Sequence, residues 1–398
     1  MAITSSHQIW SAILSSMPRG GWIPLPKIYE LVEGSVGLTT EDHEPEAEGA
    51  SQQRWQRNVR NVLQQRKAVG EILWDGEAHY MLPAVAVDGT QRERVAAELS
   101  FRMSLWQRIT GGGVGASVVA DVLKDLRIHV GEQGIFRDKA RTARLTGGDT
   151  GVTVSLLHTG RFYADDLGEH DLLYHYPKTA RPRAYDEGEV EATKDAGRLG
   201  LPVFVILPSQ SGPGEREVRL GWVADWDDES EVFLVSFGDT APEQRPGESE
   251  GETPFELVGT APRGRSTALT RPGQQRFKFR VFKRYGARCA VCGIAVKELL
   301  DAVHIRPREE DGSNDPRNGL VLCASHHRAF DAGLFAIHPE TMAIRCRPGG
   351  PSPAELMLGF SSLQHLGAQP HVEALRWRWG RHANEWTYYP AASGGGQS

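Results

Sequence analysis

The sequence predicts a multidomain protein of mixed structure, in the α+β class. Three observations carry this: the length, a change in hydrophobic periodicity along the chain, and the position of the cysteines. A chain of 398 residues exceeds what one hydrophobic core ordinarily holds, which sets a prior of two or three domains. Apolar residues recur at helical spacing near the N-terminus and fall into short strand-like runs through the middle. All four cysteines, Cys289, Cys292, Cys323 and Cys346, lie in the C-terminal third.

Composition narrows the classes. Hydrophobic residues make up 39% and charged residues 24%, as in a soluble globular protein, and the 44 glycines and 23 prolines imply many turns and linkers. The net charge of −6 argues against a uniformly basic nucleic-acid binder but leaves room for a local basic patch. Acidic residues gather over 225–256, and arginines over 276–288 and 376–381. A secreted disulfide scaffold would carry more cysteines on a smaller chain. The opening residues lack a basic stretch followed by an apolar one, so no signal peptide is expected. No run of apolar residues is long enough for a membrane span, and the cytoplasm is the default location.

Residues 1–87 form the first expected domain. Trp10, Ile13, Leu14 and Met17 repeat at helical spacing, and Ile28, Leu31 and Val32 repeat it after the breaker Pro24-Leu25-Pro26. Residues 41–50, acidic and containing Gly and Pro, read as a loop. Trp55, Val59, Val62 and Leu63 mark a third helix whose other positions carry Arg54, Arg57 and Arg60. Residues 71–74 and 79–82 then flank the turn Asp75-Gly76 as a hairpin. Three helices and a hairpin resemble a winged helix, which implies DNA contact through Arg54, Arg57 and Arg60. A small α+β domain mediating protein contacts is the other reading of the same pattern.

Residues 88–130 read as a helical connector broken at Gly111-Gly112-Gly113, which lacks the Lys-Ser/Thr of a phosphate loop. Residues 131–260 form the β-rich domain, with strands over 152–157, 172–176, 202–207, 218–223 and 232–237 and one helix over 187–199. Residues 242–271, rich in Gly, Pro, Ser and Glu, read as a linker. The last domain covers 261–390, and 391–398 is expected to be a disordered tail.

The chemistry-bearing spacings lie in that last domain. Cys289-Ala290-Val291-Cys292 is one metal-binding knuckle and Cys323-Ala324-Ser325-His326 a second. Two knuckles about thirty residues apart can close a tetrahedral Cys₃His zinc site, which would supply folding energy to a unit with little core. Around them stand His304, Asn318 and His327. Phosphodiester hydrolysis needs a base for water and a cation for the departing oxygen. A neutral imidazole suits the first task. His327 and Asp331, four apart, share a helix face and can hold a divalent ion. Asn318 can orient the base or its loop through the amide.

These residues together resemble the H-N-H, or ββα-metal, endonuclease family. The resemblance implies His304 as general base, Asn318 as the central Asn and His327 as a ligand of a catalytic divalent ion such as Mg²⁺. Many members place a further ligand directly before the base, where this chain has Val303. Asp301, on the same strand face as Val303, is the expected substitute. A zinc-binding module without catalysis is the alternative.

The middle domain offers Tyr163 and Tyr174 bracketing Asp165 and Asp166. A flipped base needs aromatic faces and a polar group for its Watson–Crick edge. This stretch, with Gly134-Ile135-Phe136 ahead of it, resembles the SRA family, which implies Tyr163 and Tyr174 as stacking residues and Asp166 as partner of a cytosine amino group. Tyr174-His175-Tyr176 departs from that family's Tyr-Thr-Gly. Ordinary core or edge-strand tyrosines are the competing account. The combined expectation is a modification-dependent restriction endonuclease acting on double-stranded DNA that carries 5-methylcytosine or 5-hydroxymethylcytosine. A nuclease indifferent to modification and a non-catalytic DNA-binding regulator are its rivals. One such site cuts one strand, so a double-strand break implies a homodimer or two successive nicks.

Overall fold

The computed structural model describes residues 4–45, 52–68, 71–82, 90–111, 113, 115–148, 150–159, 166–209, 212, 214–242, 254–259 and 273–386. Two compact units divide the chain. One gathers Met1–Phe162, Tyr176–Ala224 and Phe237–Pro246, the other Tyr163–His175, Asp225–Ser236 and Gly247–Ser398. Among the described residues no helix is long and apolar enough to cross a membrane.

The first unit begins with α1 (Ser6–Ser16), β1 (Ile23–Pro24), α2 (Leu25–Ser35), α3 (Arg54–Ala68), β2 (Leu73–Trp74) and β3 (His79–Met81). A reciprocal capping box between Ser5 and Gln8 starts α1, and proline in the first turn starts α2. The apolar stripes expected for the three helices largely meet: Ile9, Ile13, Ile28, Val32, Trp55, Val59 and Leu63 are buried in one core, while Leu14, counted in the first stripe, is exposed. The strands pair antiparallel in the order β1-β3-β2. The Asp75 carboxylate closes the β2–β3 turn by accepting from the Glu77 and His79 amides.

Next come α4 (Gln91–Thr110), β4 (Ala116–Val119) and α5 (Ala120–Asp125). The glycine break is where the sequence places it: Gly111 ends α4 with a φ of 58°. Between the two helices of the expected connector lies a short strand the sequence did not suggest, β4, which pairs with a strand of the β-rich sheet. Only Ala116 and Val118 alternate inward, too short a period-two signal to stand out beside two helices. Phe101, Leu105 and Trp106 of α4 share a core with that sheet. Buried Arg102 fastens the two together, donating to Glu98 and to the carbonyls of Thr153 and Pro202.

The sheet continues through β5 (Ile135–Arg137), α6 (Lys139–Thr146), β6 (Thr153–Leu157), β7 (Asp171–His175), α7 (Arg183–Arg198), β8 (Val203–Pro208), β9 (Glu215–Asp227) and β10 (Val232–Phe237). Within the first unit the neighbours run β5-β6-β8-β9, with β4 also on β9. The β6–β8 pair is parallel and α7 lies in its crossover, as a parallel pair requires.

The second unit takes β7 and β10, which pair antiparallel with Tyr174 opposite Phe233. Its remaining elements are α8 (Gln274–Tyr285), β11 (Leu300–His304), β12 (Gly319–Cys323), α9 (Ala324–Asp331), β13 (Phe335–Ile337), β14 (Ile344–Cys346) and α10 (Val372–Trp386). The run β11, β12, α9 is a ββα unit, its hairpin in register from Leu300↔Cys323 to His304↔Gly319. Phe277, Val281, Val303, Leu320, Leu322, Phe330 and Leu375 fill its core. The division into compact units cuts across the expected span 131–260. Its segments around β7 and β10 cluster with the ββα side, drawn by ion pairs from Lys278 to Asp166, Arg276 to Asp171 and Lys297 to Glu231. Such long-range pairs leave no period in a sequence. Tyr163, much of the linker and the tail 391–398 lie outside the described residues.

Candidate active site

The two knuckles converge. Gly293, at a φ of 81°, closes the first by donating its amide to the Cys289 carbonyl. Cys323 ends β12 and occupies the N-cap of α9, which puts His326 in the helix's first turn. The metal-ligating atoms of Cys289, Cys292, Cys323 and His326 all lie within 4.8 Å of one another. His326 Nδ1 is 3.0 Å from the Cys323 sulfur and 3.7 Å from that of Cys289. Zinc bonded to sulfur at ~2.3 Å needs spacings of this order. His326 Nε2 donates to the Leu356 carbonyl at 2.8 Å, which turns Nδ1 toward the sulfurs. Burial pushes the Cys289 thiol up, but the His326 hydrogen bond and the knuckle amides outweigh it and bring it down to about 6. Cys289 is thereby favoured as thiolate, the form a metal binds, while burial and the neighbouring sulfurs push the Cys292 thiol up to about 12. Cys346, in β14, is no member of it.

His304 is the last residue of β11. Its ring stacks on Phe277 of α8, centroids 3.7 Å apart and planes at 8°. Its Nε2 lies 3.1 Å from the Asn314 side-chain oxygen, a contact in which the ring nitrogen donates when it carries the proton. Gly319, the register partner of His304, makes the stack possible: a Cβ there would lie 2.5 Å from Val281 and 2.9 Å from the Phe277 ring.

Asn318 is fully buried and wholly committed to the loop after His304. Its amide nitrogen donates to the carbonyls of Arg306 and Ser313, and its oxygen accepts from the Arg306 amide at 2.9 Å. Of the two tasks the sequence allows it, orienting the base or shaping the loop, the structure shows the second.

His327 stands on α9 between two carboxylates. Nδ1 is 2.9 Å from Asp301 and Nε2 is 3.2 Å from Asp331. The hydrogen bond to Asp301, helped by the charge of Asp331, holds the imidazole above its ordinary pKa against the effect of burial. Strand alternation puts Asp301 and Val303 on the face of β11 toward α9, and His304 on the face toward α8 and Phe277. Val303 itself is core.

The middle segment looks different. Asp166 is 1% exposed and both its oxygens are engaged, one by His175 Nε2 at 2.7 Å and the other by Lys278 Nζ at 2.9 Å. Burial raises this carboxyl's pKa, but His175 and Lys278 outweigh it and hold it below the ordinary range. Tyr174 is buried and adjacent to His175 on β7, so the two side chains leave opposite faces of the strand. The structure thus does not bring Tyr174 to the carboxylate that His175 holds. In α3, Arg57 and Arg60 are exposed, while Arg54 lies 3.9 Å from both Glu41 and Glu44.

Sequence reasoning missed Phe277, Asn314 and Gly319. Only the Asn-Gly pair hinted at the last; a stacked phenylalanine from another helix leaves no local signature.

A family profile described as HNH endonuclease matches residues 289–338. The segment holding the cluster, His304, Asn318 and His327 is an HNH endonuclease domain. Among curated proteins none matches the chain. Solved structures also align with it, two of them as follows. The modification-dependent TagI restriction endonuclease does so at 18% identity over 69% of this chain and 94% of its own, with a TM-score of 0.29. The type IV phosphorothioation-dependent restriction endonuclease ScoMcrA does so at 14% identity over 96% and 83%, with a TM-score of 0.26.

Proposed function

We propose that the chain hydrolyses phosphodiester bonds of double-stranded DNA, with His304 as general base. One observation carries this reading: a ββα unit presents an oriented imidazole at the end of β11 and a carboxylate-flanked imidazole on α9. Phe277 and Asn314 hold the His304 ring, whose imidazole would take a proton from water. Asn318 fixes the loop that leaves His304. His327 and Asp331 would offer one ring nitrogen and a carboxylate oxygen to Mg²⁺ or Mn²⁺, while Asp301, expected as a further ligand, sits at the other ring nitrogen and would orient the imidazole instead. Such an ion, when bound, stabilises negative charge on the phosphate and the leaving oxygen. Cys289, Cys292, Cys323 and His326 hold structural zinc.

The attached regions would supply selectivity. Exposed Arg57 and Arg60 on α3, within a winged-helix-like arrangement, are suited to the phosphate backbone or a groove. For the β-rich region we retain the modified-cytosine reading on its SRA-like residues, with one condition from the geometry. Asp166 is buried and already bonded by His175 and Lys278, so a base's amino group would have to reach it past these partners. Cleavage of matched plasmids, unmodified or carrying 5-methylcytosine, 5-hydroxymethylcytosine or phosphorothioate, tests both levels. No cutting with Mg²⁺ or Mn²⁺ sinks the nuclease reading; equal cutting of all sinks modification reading alone. Linear product appearing without a nicked intermediate is the expected sign of a homodimer.

A further inference from the structure

The HNH segment ends before α10, yet α10 reaches into the site. Arg378 on that helix has a side chain only 6% exposed. Its Nη2 donates to the Phe330 carbonyl at 2.5 Å and lies 3.5 Å from Asp331 Oδ1. The other oxygen of Asp331 faces His327 Nε2 at 3.2 Å. The guanidinium also lies over the Phe330 ring, 4.4 Å from its centroid. We propose that Arg378 is a positioning residue: by holding Oδ1 and the α9 C-terminus, it aims Oδ2 of Asp331 toward the His327 side, where a divalent ion would bind. This rests on the reading of His327 and Asp331 as ligands of that ion.

The physical argument has three parts. A cation at a helix C-terminus is favoured by the exposed carbonyls there, and Phe330 and Asp331 end α9. One guanidinium nitrogen, Nη2, faces both the carbonyl and the carboxylate, and its two N–H bonds can point one to each. Finally, Arg378 Nε is buried with no hydrogen-bond partner among the described residues. An apolar side chain would fill that space without leaving a donor unsatisfied, so packing alone does not account for a cation there. The rest of α10 supports a bracing role. Arg381 pairs with Glu310 and Trp377 lies under Arg306, both on the loop that follows His304.

The test uses the full zinc-loaded chain and Mn²⁺ as the probe, with free Mn²⁺ measured by paramagnetic resonance. Losing an outer partner of a ligand typically weakens metal binding by about tenfold to a hundredfold. Arg378→Gln should therefore weaken Mn²⁺ binding at least about tenfold and raise the Mn²⁺ needed for half-maximal cleavage to match. KM for DNA should stay unchanged, Arg378→Lys should recover part of the loss, and in an Asp331→Asn background Arg378→Gln should add nothing. A folded Arg378→Gln protein with normal zinc content and wild-type Mn²⁺ affinity overturns the proposal, as does an effect confined to KM for DNA. If Arg378→Gln does not fold, Arg378→Lys carries the same comparison. Asp331→Asn binding Mn²⁺ as tightly as wild type removes the ion site itself, and Arg378's role with it; a loss in Asp331→Asn but not in Arg378→Gln removes only the latter.

Discussion

Residues 289–338 and residues 166–175 both carry chemistry-bearing side chains at suggestive spacings, and folding treats them in opposite ways. In the first segment the spacing is cashed out locally. Cys323 ends a strand, His326 follows in the first helical turn, and four ligand atoms meet. In the second, the polar groups are consumed by packing: Asp166 is buried against His175 and Lys278, and Tyr174 leaves the other face of β7. A motif closed by hairpin and helix geometry can be read from spacing, because those geometries have fixed periods. A pocket assembled from strands and loops cannot, because its convergence depends on partners distant in sequence. Here the decisive partner of Asp166 sits 112 residues away.

The largest expected effect comes from breaking the first region's staple. Structural zinc contributes roughly 10–16 kcal/mol to the folding of small modules. Stripping the ion with a chelator, or Cys323→Ser, should unfold the ββα unit and abolish cleavage while the first unit still melts cooperatively. Calorimetry checks this, and an unchanged melting profile after the metal is removed would mean the cluster staples nothing.

His304→Ala should separate the two jobs of that region. A positioned general base typically contributes about 10²–10⁴-fold in rate. We expect a loss of that size in cleavage, with zinc content kept because His304 lies outside the Cys₃His cluster, and only a modest fall in melting temperature from the lost Phe277 stack. Metal analysis beside a plasmid assay decides it, and an active variant removes His304 as the base.

What could be read in advance follows the same division. The stripes of α1, α2 and α3, the break at Gly111, the main strands and the Cys₃His set all have local periods or spacings, and all stand where the sequence puts them. Strand β4 was hidden because only two inward residues mark it between helices. The grouping of β7 and β10 with α8 was hidden because Asp166–Lys278 and Asp171–Arg276 join residues far apart in the chain. Within the site, His304 and His327 were legible as types at positions. The ring that stacks on His304 was not, because it comes from another helix.

Asp166→Asn tests the second region as structure. Burial raises the Asp166 pKa, His175 and Lys278 lower it further than burial raises it, and the folded value lies below the unfolded one. Its contribution to stability is therefore complete above the ordinary carboxylate pKa of about 4 and is lost as pH falls through the folded value. Replacing a carboxylate in charge-assisted hydrogen bonds should cost about 2 kcal/mol near neutrality. The gap between variant and wild type should close as the pH drops below about 4. Melting temperatures across that range measure it. A gap independent of pH would mean that the carboxylate's charge is not what holds β7 to α8. A variant that melts normally but loses discrimination between modified and unmodified plasmids would instead assign Asp166 to base reading, and narrow the contrast between the two regions.

The smallest effect bears on how finely the first region is built. Gly319 has an extended backbone, with a φ of −131°, so no left-handed conformation demands glycine there. What demands it is space. A Cβ would come within 2.5 Å of Val281 and 2.9 Å of Phe277, both buried side chains of α8 with little room to yield. Gly319→Ala should cost about 1–3 kcal/mol of stability by overpacking. It should also push Phe277 off the His304 ring, lowering the cleavage rate while leaving DNA affinity intact. Adding Val281→Ala would relieve the closer contact and should restore the stack, and with it the rate, more than the stability, since it opens a cavity of its own. If rate and stability instead fell and recovered together, Gly319 would be a packing residue only, and the orientation of His304 would owe nothing to α8.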